Sequence, residues 1–110
     1  MQCEVKDGAD HWVVVLSGEI DLSTSPQARK AILDTLSSRR PVLVDLSGVT
    51  YIDSSGIASL VEGYQSARCE GVKFCLVDVS DAALGVLELA RLNKVFPIVA
   101  SVAECMGGTG

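Results

Sequence analysis

The sequence predicts an α/β domain: a mixed, mostly parallel sheet of four to five strands with about four helices, in the order β-β-α-β-α-β-α-β-α. Three observations lead there. Short β-branched runs, His11-Trp12-Val13-Val14-Val15-Leu16 and Val42-Leu43-Val44-Asp45-Leu46, suit strands covered on both faces. Segments with apolar residues at helical spacing separate most of the strands, which implies right-handed parallel crossovers. Only the first two strands are joined by turn chemistry alone, at Asp7-Gly8-Ala9-Asp10, so the hairpin supplies one antiparallel edge.

Taken in order, Cys3-Glu4-Val5-Lys6 alternates apolar and polar residues as a half-exposed strand does. The second strand starts at His11 and is ended by Ser17-Gly18. Ser23-Thr24-Ser25-Pro26 then reads as a helix start, with a hydroxyl at the cap and proline where its missing N–H costs nothing. That helix runs to about Ser38, with Ala28, Ala31, Ile32, Thr35 and Leu36 as its inward stripe. Pro41 opens a third strand through Leu46, and a polar link follows. From Ser55, residues Ile57, Leu60, Val61, Tyr64 and Ala67 recur at helical spacing until Gly71.

Val72 to Val77 forms the fourth strand, and Ser80 or Asp81 caps a third helix carrying Leu84, Leu87 and Ala90. Asn93 can take the left-handed conformation that stops it. Phe96 to Val99 offers a fifth strand and Ser101 to Met106 a final helical turn. Residues 1–106 thus form a single domain, with 107–110 as a flexible glycine-rich tail. No repeat, linker or low-complexity tract divides the chain.

Composition narrows the function. At 110 residues the chain has the size of one domain, able to bury roughly two-thirds of its unfolded surface. Its 14 acidic and 9 basic residues give a net charge of −5, with no basic cluster beyond Arg39-Arg40. Nucleic acid is therefore not an expected partner, since such binding rests on neutralising phosphates. No window approaches the ~20 apolar residues of a membrane span, and the amino terminus has no apolar signal stretch, so a cytoplasmic location is expected. The cysteines, Cys3, Cys69, Cys75 and Cys105, form no C-x-x-C pair and are expected to be thiols in a reducing compartment.

Chemistry-bearing residues concentrate in two turns that follow strands. One is Gly18-Glu19-Ile20-Asp21-Leu22-Ser23-Thr24-Ser25, the other Thr50-Tyr51-Ile52-Asp53-Ser54-Ser55-Gly56. If the two strands are parallel neighbours, both turns lie at the carboxyl end of the sheet, where open α/β sheets bind ligands. Capping accounts for Ser23, Ser25 and Ser54, and a turn or helix cap is the alternative role of Asp21 and Asp53. Ser55 is less easily explained so. A helix start presents unpartnered N–H groups and the positive end of the macrodipole, and accommodates a phosphate on a serine. Gly56 admits close approach of a partner backbone or relieves crowding at the helix start.

Enzymatic readings find little support. A serine hydrolase needs Gly-x-Ser-x-Gly and a base, but Tyr51-Ile52-Asp53 precedes the serines, and His11, the sole histidine, is expected at the surface at a strand start. No Gly-x-x-x-x-Gly-Lys-Ser/Thr loop exists to hold a nucleotide.

Gly18-Glu19-Ile20-Asp21, the run from Val44 through Asp53-Ser54-Ser55-Gly56, and the closing Leu92-Asn93-Lys94-Val95-Phe96-Pro97-Ile98 together resemble the STAS domain, from about Val5 to Glu104. The Asp-Ser-Ser-Gly form resembles the bacterial anti-sigma factor antagonist (anti-anti-sigma factor) branch in particular. The resemblance implies the sporulation anti-anti-sigma-like fold and a non-enzymatic partner switch used in transcription regulation. The unphosphorylated form would bind an anti-sigma factor serine kinase and release the sigma factor. Phosphorylation at Ser55, with Ser54 as the lesser candidate, would switch binding off, and a PP2C-type serine phosphatase would restore it. Asp21, Ser23, Thr24, Asp53, Ser54, Ser55 and Gly56 would form the partner-binding surface. No cofactor or metal is implied, since ATP and magnesium would belong to the kinase. The alternative within the family is a STAS subunit binding the ATPase of a lipid-transporting ABC complex, though such subunits often depart from Asp-Ser-Ser-Gly. Asn93 stands where a glycine is common in antagonists.

Overall fold

The computed structural model describes residues 1–107. Its elements are β1 (Gln2–Asp7), β2 (Trp12–Ile20), α1 (Ser25–Leu36), β3 (Val42–Ile52), α2 (Ser54–Glu70), β4 (Phe74–Val77), α3 (Asp81–Leu89), β5 (Ile98–Val99) and α4 (Val102–Gly107). The strands form one sheet in sequence order, β1 antiparallel to β2 and all later pairs parallel. The expected order of elements and the antiparallel edge are both present. Of the expected tail, Gly107 closes α4, and 108–110 lie outside the described residues.

Alternation along β2 and β3 builds the core. Val14, Leu16, Val44 and Leu46 point to one face, where they meet Ala28 and Ile32 of α1, Ile57 and Leu60 of α2, and Leu87 of α3. Each such fully buried aliphatic side chain contributes about 1.5–3 kcal/mol relative to exposure. The opposite face carries Leu43, Cys75 and Val77, covered by Cys105 and Met106 of α4. Cys75 and Cys105 are joined there as a disulfide, with Cα atoms 6.7 Å apart, contrary to the expectation of four thiols; Cys3 and Cys69 are free. Neither sequence spacing nor composition reveals this pair, because β4 and α4 are brought together only by packing.

Two strands run further than their sequences suggest. β2 continues past Ser17-Gly18 to Ile20, and β3 past Leu46 to Ile52. The parallel register slips from Val15↔Asp45 to Ser17↔Gly48, then from Gly18↔Val49 to Glu19↔Tyr51. At each slip β3 carries an extra residue, and Gly18 supplies the positive φ of 83°. Bulges therefore extend the ladder where glycine and serine otherwise mark its end.

Other boundaries move for local reasons. α1 stops at Leu36 and not near Ser38, because the Ser37 and Ser38 hydroxyls turn back onto the carbonyls of Asp34 and Thr35. Gly71 caps α2 in the left-handed conformation as expected, and Ser80 caps α3 through the N–H of Ala83. The left-handed stop after α3 falls on Arg91 (φ 60°) and not on Asn93. His11 lies half-buried in the hairpin beside Asp10, with only 15% of its side chain exposed. Among the described residues no helix is long and apolar enough to cross a membrane.

Candidate functional site

The continuation of β2 and β3 delivers the two acidic turns to one place. Ile20 and Ile52 are register partners at the strand ends, and the N–H of Asp53 donates to the carbonyl of Ile20 at 3.2 Å. Asp21 and Asp53 therefore begin adjacent loops at the carboxyl end of the sheet.

Asp21 organises its own turn. Its Oδ1 accepts from the Ser23 N–H (3.0 Å), the Ser23 hydroxyl (2.8 Å) and the Thr24 N–H (3.2 Å), while its N–H donates to Thr24 Oγ1 at 2.9 Å. Thr24 occupies the position before α1, yet its hydroxyl makes no cap bond to the helix and donates instead to the Glu19 carbonyl at 3.1 Å. The hydroxyl cap expected for α1 is thus absent because the turn captures it. Ser25 begins the helix with Pro26 directly behind it, and the Ser25 N–H is held by the Asp21 carbonyl at 2.7 Å.

Asp53 behaves differently. It is the N-cap of α2, accepting at Oδ1 from the N–H groups of Ser55 (2.9 Å) and Gly56 (3.2 Å). The Ser55 hydroxyl donates to the same oxygen at 2.5 Å. That hydroxyl bond is the main reason the Asp53 carboxyl sits below its ordinary value; the backbone bonds add to it, while partial burial and the Asp21 carboxylate push the other way. Asp21 is likewise held low, chiefly by the Ser23 hydroxyl. Both aspartates are thus anions near neutral pH, and Asp53 feels the field of Asp21.

Beneath this surface, Gly56 is buried. A Cβ there would lie 2.6 Å from Ile52 Cγ1 and 2.8 Å from Ile20 Cγ2, so glycine lets the first turn of α2 settle onto the strand ends. The relief of crowding expected for Gly56 is therefore concrete. Ser59, one turn on, was not singled out by sequence. Its buried hydroxyl lies 3.2 Å from the Ser55 carbonyl and 3.3 Å from that of Ser25, spanning the starts of α1 and α2.

Two exposed apolar side chains frame the site and also escape sequence reasoning. Leu22 is 78% exposed in the Asp21 turn, and Tyr51 is 50% exposed two residues before Asp53. The available signal was a large apolar residue inside a run of acids and hydroxyls. Ser54 and Ser23 are exposed, while Ser55, Asp53, Asp21 and Thr24 are half-buried. His11 lies before β2, a full strand length from this end. Among the described residues no three His, Cys, Asp or Glu side chains cluster to hold a metal ion. The site offers two carboxylates, a serine hydroxyl at a helix start and an apolar rim.

Comparison with known proteins identifies the family. The family model for the STAS domain matches residues 1–105. An anti-sigma-B factor antagonist of Listeria monocytogenes is 29% identical over 98 residues, spanning 86% of this chain and 85% of that protein. An anti-sigma F factor antagonist of Paenibacillus polymyxa is 26% identical over 100 residues, spanning 89% and 86%. The crystal structure of an anti-sigma factor antagonist from Mycobacterium paratuberculosis superposes with a TM-score of 0.84 at 29% identity, covering 96% of this chain and 90% of the other. Matched by the family model over nearly its whole length and sharing the fold of that structure, this chain belongs to the STAS domain family.

Proposed function

We propose that the protein is an anti-sigma factor antagonist, a binding switch and not a catalyst. In this reading its unphosphorylated form binds an anti-sigma factor serine kinase and so frees the sigma factor. Phosphorylation of Ser55 ends that binding, and a PP2C-type phosphatase restores it. The observation that carries the reading is the Ser55 hydroxyl bonded to the Asp53 carboxylate at the exposed start of α2. The antagonist names of its relatives support it.

The chemistry follows from that bond. The kinase transfers the γ-phosphoryl of its ATP to Ser55 Oγ: the new O–P bond forms, the β–γ phosphoanhydride bond breaks with ADP as leaving group, and the hydroxyl proton passes to a base of the kinase. The ester oxygen then has no hydrogen to donate to Asp53. A group carrying about −1.5 to −2 charge stands beside two carboxylates and competes with Asp53 for the Ser55 and Gly56 N–H groups. The helix start retains the phosphate, so the fold persists. A partner that had docked on a neutral hydroxyl, with Leu22 and Tyr51 against its own apolar surface, meets repulsion and unpaired charge. Asp21, Ser23, Thr24, Asp53, Ser54 and Ser55 form the polar part of that surface, and Gly56 sets its height.

The test is capture from the native cell by wild-type, Ser55→Ala and Ser55→Asp protein, with mass spectrometry of the captured kinase reaction. The reading expects an ATPase-fold serine kinase on the first two, none on the third, and phosphate on Ser55. Capture of an ABC ATPase, or phosphate confined to Ser54, contradicts it.

A further inference from the structure

We propose that β1 is the contact edge of a symmetric dimer, in which two copies of this chain pair their β1 strands antiparallel about Val5. β1 is the outer strand of the sheet and is exposed along nearly its whole length. The direction of its free backbone groups can be read from the hairpin. The Gly8 N–H donates to the His11 carbonyl at 2.9 Å, and the Trp12 N–H turns away from β1 to donate to the Pro41 carbonyl at 2.8 Å.

Because hydrogen-bonded and non-hydrogen-bonded pairs alternate, Lys6, Glu4 and Gln2 bond β2, opposite Val13, Val15 and Ser17. The N–H and C=O groups of Cys3, Val5 and Asp7 therefore point outward, the template that a further strand would fill.

Charges on an edge strand ordinarily hinder such pairing. Here they favour one register over its near neighbours. Slipping one copy by two residues sets Glu4 against Glu4 or Lys6 against Lys6. A one-residue slip would oppose backbone groups already bonded to β2.

Centred on Val5, each Glu4 lies directly opposite the second copy's Lys6, in the non-hydrogen-bonded pairs where side chains approach most closely. Both bonds of the Val5–Val5 pair and both bonds of each flanking Cys3–Asp7 pair form. Glu4 and Lys6 make no ion pair within the chain among the described residues. The symmetry is isologous, as closed dimers require.

The apolar side of the strand fits the same partner. Val5 is 43% exposed and lines a groove of about 410 Å³ between β1 and α1, floored by Trp12 and Cys3. In the dimer the second copy's Val5 and Cys3 stand beside Val5 on this face, continuing the floor across the two-fold axis. Asp7 keeps its ion pair with Arg40, since only its backbone takes part. The contact lies along β1, apart from the turns at Asp21 and Asp53, so it is independent of the proposed switch.

Analytical ultracentrifugation of the full chain from micromolar to millimolar concentration tests this, with circular dichroism confirming the fold of each variant. Wild type is expected to dimerise in that range. Glu4→Lys and Lys6→Glu should each weaken the dimer about ten-fold or more by creating two like-charge pairs. The double exchange Glu4→Lys with Lys6→Glu should restore it. Val5→Pro should give a folded monomer, because the lost N–H is one that β2 does not use. Should Val5→Pro fail to fold, the charge exchange decides alone. A wild type monomeric throughout, single reversals that dimerise like wild type, or a double exchange as weak as the singles overturns the proposal.

Discussion

The first turns of α1 and α2 lie side by side at the end of the sheet and draw on the same residue types, an aspartate followed by hydroxyls. In the first, Asp21 and Thr24 bind each other and the loop backbone, leaving α1 without a side-chain cap. In the second, Asp53 caps α2 directly, and one hydroxyl, Ser55, shares the capping oxygen. The difference is positional. A serine two residues after its aspartate inside the helix is bound to the very carboxylate that fixes the helix start. A serine in the same relation to Asp21 lies in the loop before the helix. A negative group on Ser55 therefore disturbs the cap and the proposed partner surface together, whereas one on Ser23 changes only an exposed turn.

The largest expected effect separates the two turns. Ser55→Asp should weaken kinase binding about a hundred-fold or more, as like-charge contacts at an interface do. Ser23→Asp should weaken it less than about ten-fold. Calorimetric titration of each variant makes the comparison, and equal losses would erase the distinction drawn between the turns.

A structural effect comes next. Gly56→Ala forces a Cβ into Ile52 and Ile20 and should lower stability by about 1–3 kcal/mol in urea unfolding. Ala at Ser23, which packs on nothing buried, should leave stability nearly unchanged. A smaller change is expected for Ser59→Ala, about 0.5–1.5 kcal/mol, because it removes the hydroxyl between the Ser25 and Ser55 carbonyls.

The smallest concerns acid. Asp53 and Asp21 both have carboxyls held below 3.8, the ordinary value of an aspartate. Their contribution to stability is complete above that value and is lost as pH falls through the lower native values. Asp53→Asn should therefore flatten the acid limb of the stability profile, and Asp21→Asn should do so too. An unchanged acid limb in Asp53→Asn would show that the cap does not carry the linkage.

Much of this was legible in the sequence, and the exceptions have physical causes. The two inward stripes of α1 and α2 and the Val-rich strands state their periods openly, so the order of elements and the placement of Asp21 beside Asp53 follow. The ends of β2 and β3 did not, because Gly18 and Ser47-Gly48 read as stops and act as bulges once the neighbouring strand fixes the register. Thr24 reads as a cap, yet a competing local bond to the Asp21 turn takes its hydroxyl. Arg91 adopts a left-handed conformation that local propensity assigns to Asn93. Ser59, Leu22 and Tyr51 were missed for one reason: their roles depend on which elements meet, which neither a serine within a helix nor a large apolar residue among acids and hydroxyls states by itself. The Cys75–Cys105 pair belongs to the same class.

The central claim is that Ser55 is the residue at which binding is switched. Its most direct test is calorimetric titration of the native anti-sigma factor kinase with this chain, unmodified and stoichiometrically phosphorylated at Ser55, with melting curves of both. The expected result is tight binding by the unmodified chain, no measurable binding by the phosphorylated chain, and cooperative melting in each. Equal binding by both forms would contradict the claim, and so would loss of binding that proves to be loss of the fold.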